Sequence, residues 1–429
     1  MARFGVSVSS GRRIGAGFAL KTALPDRTAR TFHHERWRAI SAGILETAGA
    51  TFLLTIAVKW FHAPPTWKGL IASGGSLGLF LTPIIVTAVA RLRWPAALAA
   101  AVLALFGTAV FLTMAALPSL PMFVVGSMLA MAATSGAVPL FTHMYHENYP
   151  EKERGQLFSS TVMIRIATAA VFSEIGGQFL FADISRFRWL LVAFAAAFAF
   201  AAHHLRRCPS TPVLQEEGAH PFRSLRYVKT DRVLRMTLIA WMLMGSANLM
   251  MLPMRVEYLA NPKYGINLSV VEVAFLTGVI PNVARLILSP IWGWLFDRMN
   301  FFLLRAALNV GFAVGILSFF TSNSLTGLIL GGIIFGASNA GGDIAWSLWV
   351  TKFSPPGRTA DYMSVHTFFT GVRGVIAPLV GFHLLAHYSV AALGIFAALL
   401  IFASILVLLP EARVGQGRKR PALVEEISD

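Results

Sequence analysis

The chain has 429 residues, of which 56% are hydrophobic and 13% charged, and its 36 Lys and Arg against 20 Asp and Glu leave a formal charge of +16. About a quarter of an ordinary soluble domain is charged, so the composition excludes a soluble globular protein and, by the same apolar excess, a disordered one. A single cysteine, Cys208, excludes a fold held by disulfides within the chain.

What remains is a chain that crosses a bilayer many times. Residues 1–38 are polar and basic and read as a cytoplasmic tail. Twelve stretches then approach the about 20 apolar residues needed to cross about 30 Å of hydrocarbon. They fall at 39–58, 69–90, 95–116, 119–146, 157–181, 188–205, 236–258, 270–296, 302–320, 324–350, 361–385 and 388–410. Proline punctuates the short connections at Trp94-Pro95 and at Leu117-Pro118-Ser119-Leu120-Pro121. Residues 206–235 are the longest polar interruption and divide 39–205 from 236–410, six spans each. Residues 411–429 form a second tail, in which Arg418-Lys419-Arg420 suits anionic headgroups.

Twelve spans put both tails on one side. That side collects 27 of the Lys and Arg, the other side five, and four lie inside spans. This is the positive-inside asymmetry, and it predicts cytoplasmic termini. The basic excess is therefore mostly topology. A nucleic-acid interface needs a basic folded face with aromatic or motif support, and no segment supplies one.

The two sets of six spans share landmarks in the same order. Pro83 and Pro290 lie 207 residues apart, as do Arg91 and Arg298. Gly126 and Gly331 are separated by 205 residues. Arg154 and Arg358, Ser160 and Ser364, and Gly177 and Gly381 are each 204 apart. A repeat of two parallel halves is a transporter architecture.

At the end of span 8, Pro290-Ile-Trp-Gly293-Trp-Leu-Phe-Asp297-Arg298 resembles the Gly-x-x-x-Asp-Arg loop motif of the major facilitator superfamily. The first-half counterpart keeps only Arg91, with Val86 and Ala90 where the motif has glycine and aspartate. The Pro- and Arg-bearing turns at 149–154 and 354–358, and Arg373-Gly374 followed by Ala377-Pro378 and Gly381, are similar to those of bacterial members. The resemblance covers about 39–410 and implies an all-α membrane protein: two pseudo-symmetric six-helix bundles that rock around a central site. It also implies that spans 3, 6, 9 and 12 are supporting helices. These four carry no interior charge, with Arg305 at the start of span 9. By the motif, Asp297 latches onto a neighbouring helix terminus in one state, Gly293 permits close packing, and Arg298 completes the gate.

An ionisable residue in hydrocarbon is costly and usually faces a cavity or a partner. Glu46, Arg285 and Arg373 fall near the midplane at about 1.5 Å rise per residue, where such transporters bind cargo. Arg285 and Arg373 are therefore expected to hold an anionic group, since guanidinium forks suit carboxylate or phosphate. Arg165, Asn248, Trp241 and Asn339 are further candidate contacts. Glu46 is the candidate proton-coupling carboxylate, with Asp343 and Glu174 as further titratable groups; Glu174 lies nine residues from Arg165, on roughly the opposite face of span 5. A permanent structural pair between Glu46 and an arginine is the alternative. Trp346 and Trp349 read as interface anchors, and His33-His34 and His203-His204 as solvated span edges.

The order in His143-x-x-His146-Glu147 is not that of a zinc hydrolase, and neither a Walker loop nor Gly-x-Ser-x-Gly occurs. No enzyme, cofactor or metal is expected. The expected protein is a monomeric secondary transporter in a bacterial cytoplasmic membrane. It moves a small solute, an organic anion, by alternating access with proton coupling. An exporter with a mainly apolar pocket, and a non-transporting scaffold or sensor on the same fold, are the alternatives.

Overall fold

A computed structural model describes residues 15–213, 222–352, 354 and 359–413. Residues 1–14, most of the C-terminal tail including Arg418-Lys419-Arg420, and the repeat landmark Arg358 lie outside the described residues. Among the described residues, twelve helices are long and apolar enough to cross a membrane: α1 Arg27–Lys59, α2 Pro65–Arg91, α3 Ala96–Ala116, α4 Leu120–Asn148, α5 Glu151–Ala182, α6 Ile184–Leu205, α7 Arg232–Ala260, α8 Val270–Arg298, α9 Phe301–Thr321, α10 Leu325–Leu348, α11 Tyr362–Leu384 and α12 Val390–Pro410.

Local chemistry sets many of the helix starts. Pro65 stands in the first turn of α2, where its missing N–H costs nothing. Asp231 accepts from the Leu234 N–H to cap α7, Ser324 caps α10 through the Gly327 N–H, and Asn300 caps α9. Ser269 and Glu272 form a capping box at the start of α8. Pro83 and Pro290 both lie inside their helices, so each forfeits a backbone hydrogen bond at the same depth of its half.

The packing of α1–α6 recurs in α7–α12 with an offset of six helices. Helix α1 packs on α5 and α6, α2 on α4, and α3 on α4 and α6; correspondingly α7 packs on α11 and α12, α8 on α10, and α9 on α10 and α12. The glycine landmarks do equivalent work. Gly126 of α4 seats Met114 of α3, and Gly331 of α10 seats the backbone of Phe319 on α9. The halves meet through two symmetric helix pairs, α2 with α11 and α5 with α8. Along α2–α11 small residues let the backbones approach: Gly69 faces Leu379, Gly374 faces Ser76, and Gly371 lies on the Phe80 backbone.

The polar stretch 27–38 is not tail. Helix precedes α1 from Gly15 and runs into it without a break as far as Thr47. Glu35 is fully buried, pairs bidentately with Arg38 at 2.7 and 2.8 Å, and accepts from Tyr145 Oη. Arg27 pairs with Glu147. Hydropathy counts these charges as polar whether or not a partner neutralises them, and so it begins the span too late.

Gly78 of α2 sits against the Ala132 carbonyl of α4, so an added Cβ would collide with backbone that cannot move aside. Gly78→Val is expected to destabilise the first half by about 1–3 kcal/mol, read as a lowered unfolding midpoint in detergent. An unchanged midpoint would refute this packing.

Candidate functional site

Two helices at the interface lose their regular turn where they meet. A π-helical segment interrupts α1 at Ala48–Phe52 and α8 at Phe275–Val279, and Thr51 and Thr277 share a hydrogen bond at 3.1 Å between them. Such bulges are frequent at functional sites. Glu46 lies just before the first bulge and Arg285 about two turns beyond the second.

These two residues centre a chain of four alternating charges. Arg285 of α8 donates Nη1 to Glu46 Oε1 at 2.5 Å and Nε to Asp343 Oδ2 at 2.6 Å. Its Nη2 lies 2.5 Å from the same Asp343 oxygen. The other Glu46 oxygen, Oε2, faces Arg165 Nε of α5 at 3.2 Å. The order Arg165–Glu46–Arg285–Asp343 thus runs from the first half to the second and sums to zero charge. Arg285 is nearly sealed at 5% side-chain exposure, whereas Arg165 and Asp343 are wetted at 34% and 38%.

The gap that wets the chain opens toward the end of the bundle carrying the termini. On that side none of residues 151–160 of α5 is buried. The opposite end, outer in the sense of farther from the termini, is shut. Leu54 and Val58 of α1 belong to the apolar core of the second half, and Val270 and Ala274 of α8 to that of the first. Gly177 packs on Val271 and Ala274. A buried ion pair adds to the seal: Lys68 Nζ of α2 lies 2.6 Å from Glu257 Oε1 of α7, with side-chain exposures of 6% and 2%. Glu257 Oε1 also accepts from Asn261 at 2.7 Å.

The structure does not bring Arg285 and Arg373 together. Arg373 is buried inside the second half, donating to the Trp241 carbonyl and to Thr370 Oγ1. Trp241 is there too, 5% exposed and away from the gap between the halves. Asn248 lines a small internal cavity with Arg255, Gly315 and Phe335. Asn339 stands one turn before Asp343 on the same face of α10. Glu174 accepts from Gln178 one turn along α5 and takes no part in the ion chain.

Three other readings need correction. Trp349 is fully buried against Trp241, Phe301 and His366 rather than anchored at an interface. His34 and His204 are not solvated; their Nδ1 atoms lie 3.0 Å apart, tying α1 to α6. A Cβ at Gly293 would meet only Ile344 at 3.9 Å, so this glycine is not a close-packing point here. Asp297 is exposed with no partner among the described residues, and Arg298 lies over the Trp294 ring at 4.4 Å. Asp297 therefore makes no latch contact in this structure.

Sequence reasoning missed Arg305, which is 2% exposed despite its place at a helix start, and Lys68, which was counted among outer loop charges. A carboxylate at Glu257 with no basic residue three or four positions away on its own helix was the available signal for Lys68.

A family model described as Major Facilitator Superfamily matches residues 39–304 and 263–425. The chain belongs to the major facilitator superfamily. Among solved structures it is similar to the nucleoside transporter NupG, at 13% identity and a TM-score of 0.69, covering 89% of this chain and 99% of that one. It is similar to the human organic anion transporter MFSD10, at 14% identity and a TM-score of 0.64, covering 89% and 99%. A D-xylose-proton symporter follows at 15% identity and a TM-score of 0.60, covering 89% and 97%. At these identities the likeness establishes the fold. No curated protein matches the chain. As a superfamily member it is a multi-pass membrane transporter and not an enzyme.

Burial pushes the Cys208 thiol up to about 12, so this cysteine stays protonated and unreactive. A cysteine placed at Val58 in the outer seal can therefore be labelled selectively. Removing one partner of a buried pair costs about 3–5 kcal/mol. Lys68→Met is thus expected to open the outer end and to raise labelling of Val58→Cys by an impermeant maleimide at least tenfold. Equal labelling with and without Lys68→Met would show that the pair does not hold the seal.

Proposed function

We propose that the protein is a proton-coupled secondary transporter that carries a small organic anion by alternating access. One observation carries this reading: the Glu46 carboxylate spans the gap between two guanidiniums on opposite halves, Arg165 on α5 and Arg285 on α8. A carboxylate is already the group that this place suits, and guanidinium pairs favour it over neutral solutes. While Glu46 is ionised it fills the position itself. Once protonated it withdraws its charge, and two arginines are left facing the place it held. A carboxylate of the cargo then replaces the internal one, so that one proton and one anionic group enter together without net charge.

Asp343 keeps Arg285 oriented during this exchange by holding Nε and Nη2. Asn339 and Asn282 lie within reach of the same region as neutral hydrogen-bonding groups. The cargo site is thus Arg165 and Arg285 rather than Arg285 and Arg373. The names of the solved relatives mention a nucleoside, a sugar with a proton, and an organic anion; the fold does not choose among such solutes, and the site residues must. The 27 to five distribution of basic residues supports cytoplasmic termini. The gap then faces the cytoplasm, and the protein works as a monomer in the cytoplasmic membrane.

The test is uptake of labelled mono- and dicarboxylates into proteoliposomes, with and without an inward proton gradient. Wild-type uptake is expected to accelerate with the gradient. Glu46→Gln is expected to lose that acceleration while still exchanging cargo, because the amide cannot ionise. Arg165→Gln and Arg285→Gln each remove one charged partner, worth about 2–5 kcal/mol, so apparent affinity falls at least tenfold. Gradient-driven uptake that survives Glu46→Gln unchanged would remove proton coupling from this residue. Unchanged affinity in both arginine variants would remove the anion site.

A further inference from the structure

The second half contains a group of buried charges that no acidic residue balances. Arg305 enters from the start of α9 and Arg373 from the middle of α11, at 2% and 5% exposure. They converge on one indole. The Arg305 Cζ lies 3.7 Å and the Arg373 Cζ 5.6 Å from the ring centroid of Trp241. Gly245 of α7 makes room for the second of these, since a Cβ there would overlap the Arg373 guanidinium.

The hydrogen bonding of the pair is incomplete. Arg305 donates Nη2 to Met244 Sδ, a weak acceptor, at 2.9 Å, and its Nη1 is buried without an acceptor. Arg373 uses Nη1 and Nη2 on the Trp241 carbonyl and Thr370 Oγ1, and its Nε is buried without an acceptor. Trp241 Nε1 and His366 Nε2, on rings 4.9 Å apart, are also buried and unpaired. No carboxylate contacts any of these groups among the described residues. Apart from the His366 nitrogen, whose role depends on its tautomer, every unpaired group here is a donor.

A buried polar group without a partner is costly, and a buried charge more so. Most titratable side chains escape that cost by neutralising, but a guanidinium keeps its proton. The positive charge therefore calls for a counter-ion. No flanking helix provides one, and the ion chain uses both of its carboxylates on Arg285 and Arg165.

We propose that Arg305 and Arg373, with Trp241 and His366, bind a small inorganic anion inside the second half, at a site separate from the ion chain. All four residues are at least nine-tenths buried, which excludes an organic cargo and leaves chloride and phosphate as the candidates. The anion joins α7, α9 and α11 through one charge, so that the second half moves as a rigid unit.

The test uses the purified full chain in a buffer whose only anion is HEPES. Chloride and phosphate are titrated separately, at ionic strength matched with HEPES, and the unfolding midpoint is followed. A saturable rise with one of them identifies the bound species. Arg305→Met and Arg373→Gln are each expected to weaken that anion's apparent affinity at least tenfold, while Arg165→Gln leaves it unchanged. Midpoints that do not respond to either anion, or a response equal in wild type and both variants, would overturn the proposal. Should the variants not fold, crystals of the wild type soaked in bromide, or in arsenate where phosphate gives the rise, decide the matter. An anomalous peak between the two guanidiniums supports the site, and its absence there refutes it.

Discussion

Arg285 keeps its charge in the middle of an apolar bundle only because carboxylates reach it from both halves of the molecule. Glu46 arrives from α1 and Asp343 from α10, each within 2.6 Å, and neither alone would complete the guanidinium. A buried ion pair gives little net stability against its desolvation. Its value here lies in what it forbids. The halves cannot part at this depth without stranding a charge, unless a proton or another anion substitutes for a partner. A requirement of that kind is what links a solute to an ion in one conformational cycle.

The rest of the interface is arranged around that constraint. On the outer side the halves exchange apolar residues, with Leu54 and Val58 in one core and Val270 and Ala274 in the other. Lys68 and Glu257 close the same end with a pair that is almost dry. On the side of the termini the loop motif around Asp297 has nothing to hold. One end is thus tied by packing and by charge while the other is free, and the ion chain sits where the two regimes meet.

The sequence made the fold legible because bilayer crossing leaves a coarse signal. Twenty apolar residues in a row, prolines at connections and a one-sided distribution of Lys and Arg do not depend on tertiary detail. The repeat was legible for the same reason, since Pro83 and Pro290 or Gly126 and Gly331 mark depth and not contact. Partnerships were harder. Glu46, Arg165, Arg285 and Asp343 were each visible as charges inside spans, but Arg373 looked equivalent to Arg285. Only rotation about the α11 axis, which a weakly amphipathic sequence does not define, turns it toward Trp241 instead of the gap. Arg305 and Glu35 were misplaced because hydropathy treats a charge near a helix end as solvated. A long side chain can reach inward from such a position, and a paired one can be buried outright.

The line of small residues between α2 and α11 also suits a rotation of one half against the other. Gly69, Gly374 and Gly371 bring the two backbones together from the outer end to beyond the middle, and Phe80 stacks on Phe368 further on. Surfaces with so few projecting side chains have little to disengage when they turn against each other. In such a rotation the pair would be the axle, with the jaws on the far side at α5 and α8. Arg165 and Arg285 are mounted on those two helices, so a small rotation about the axle changes their separation more than that of any residues near it.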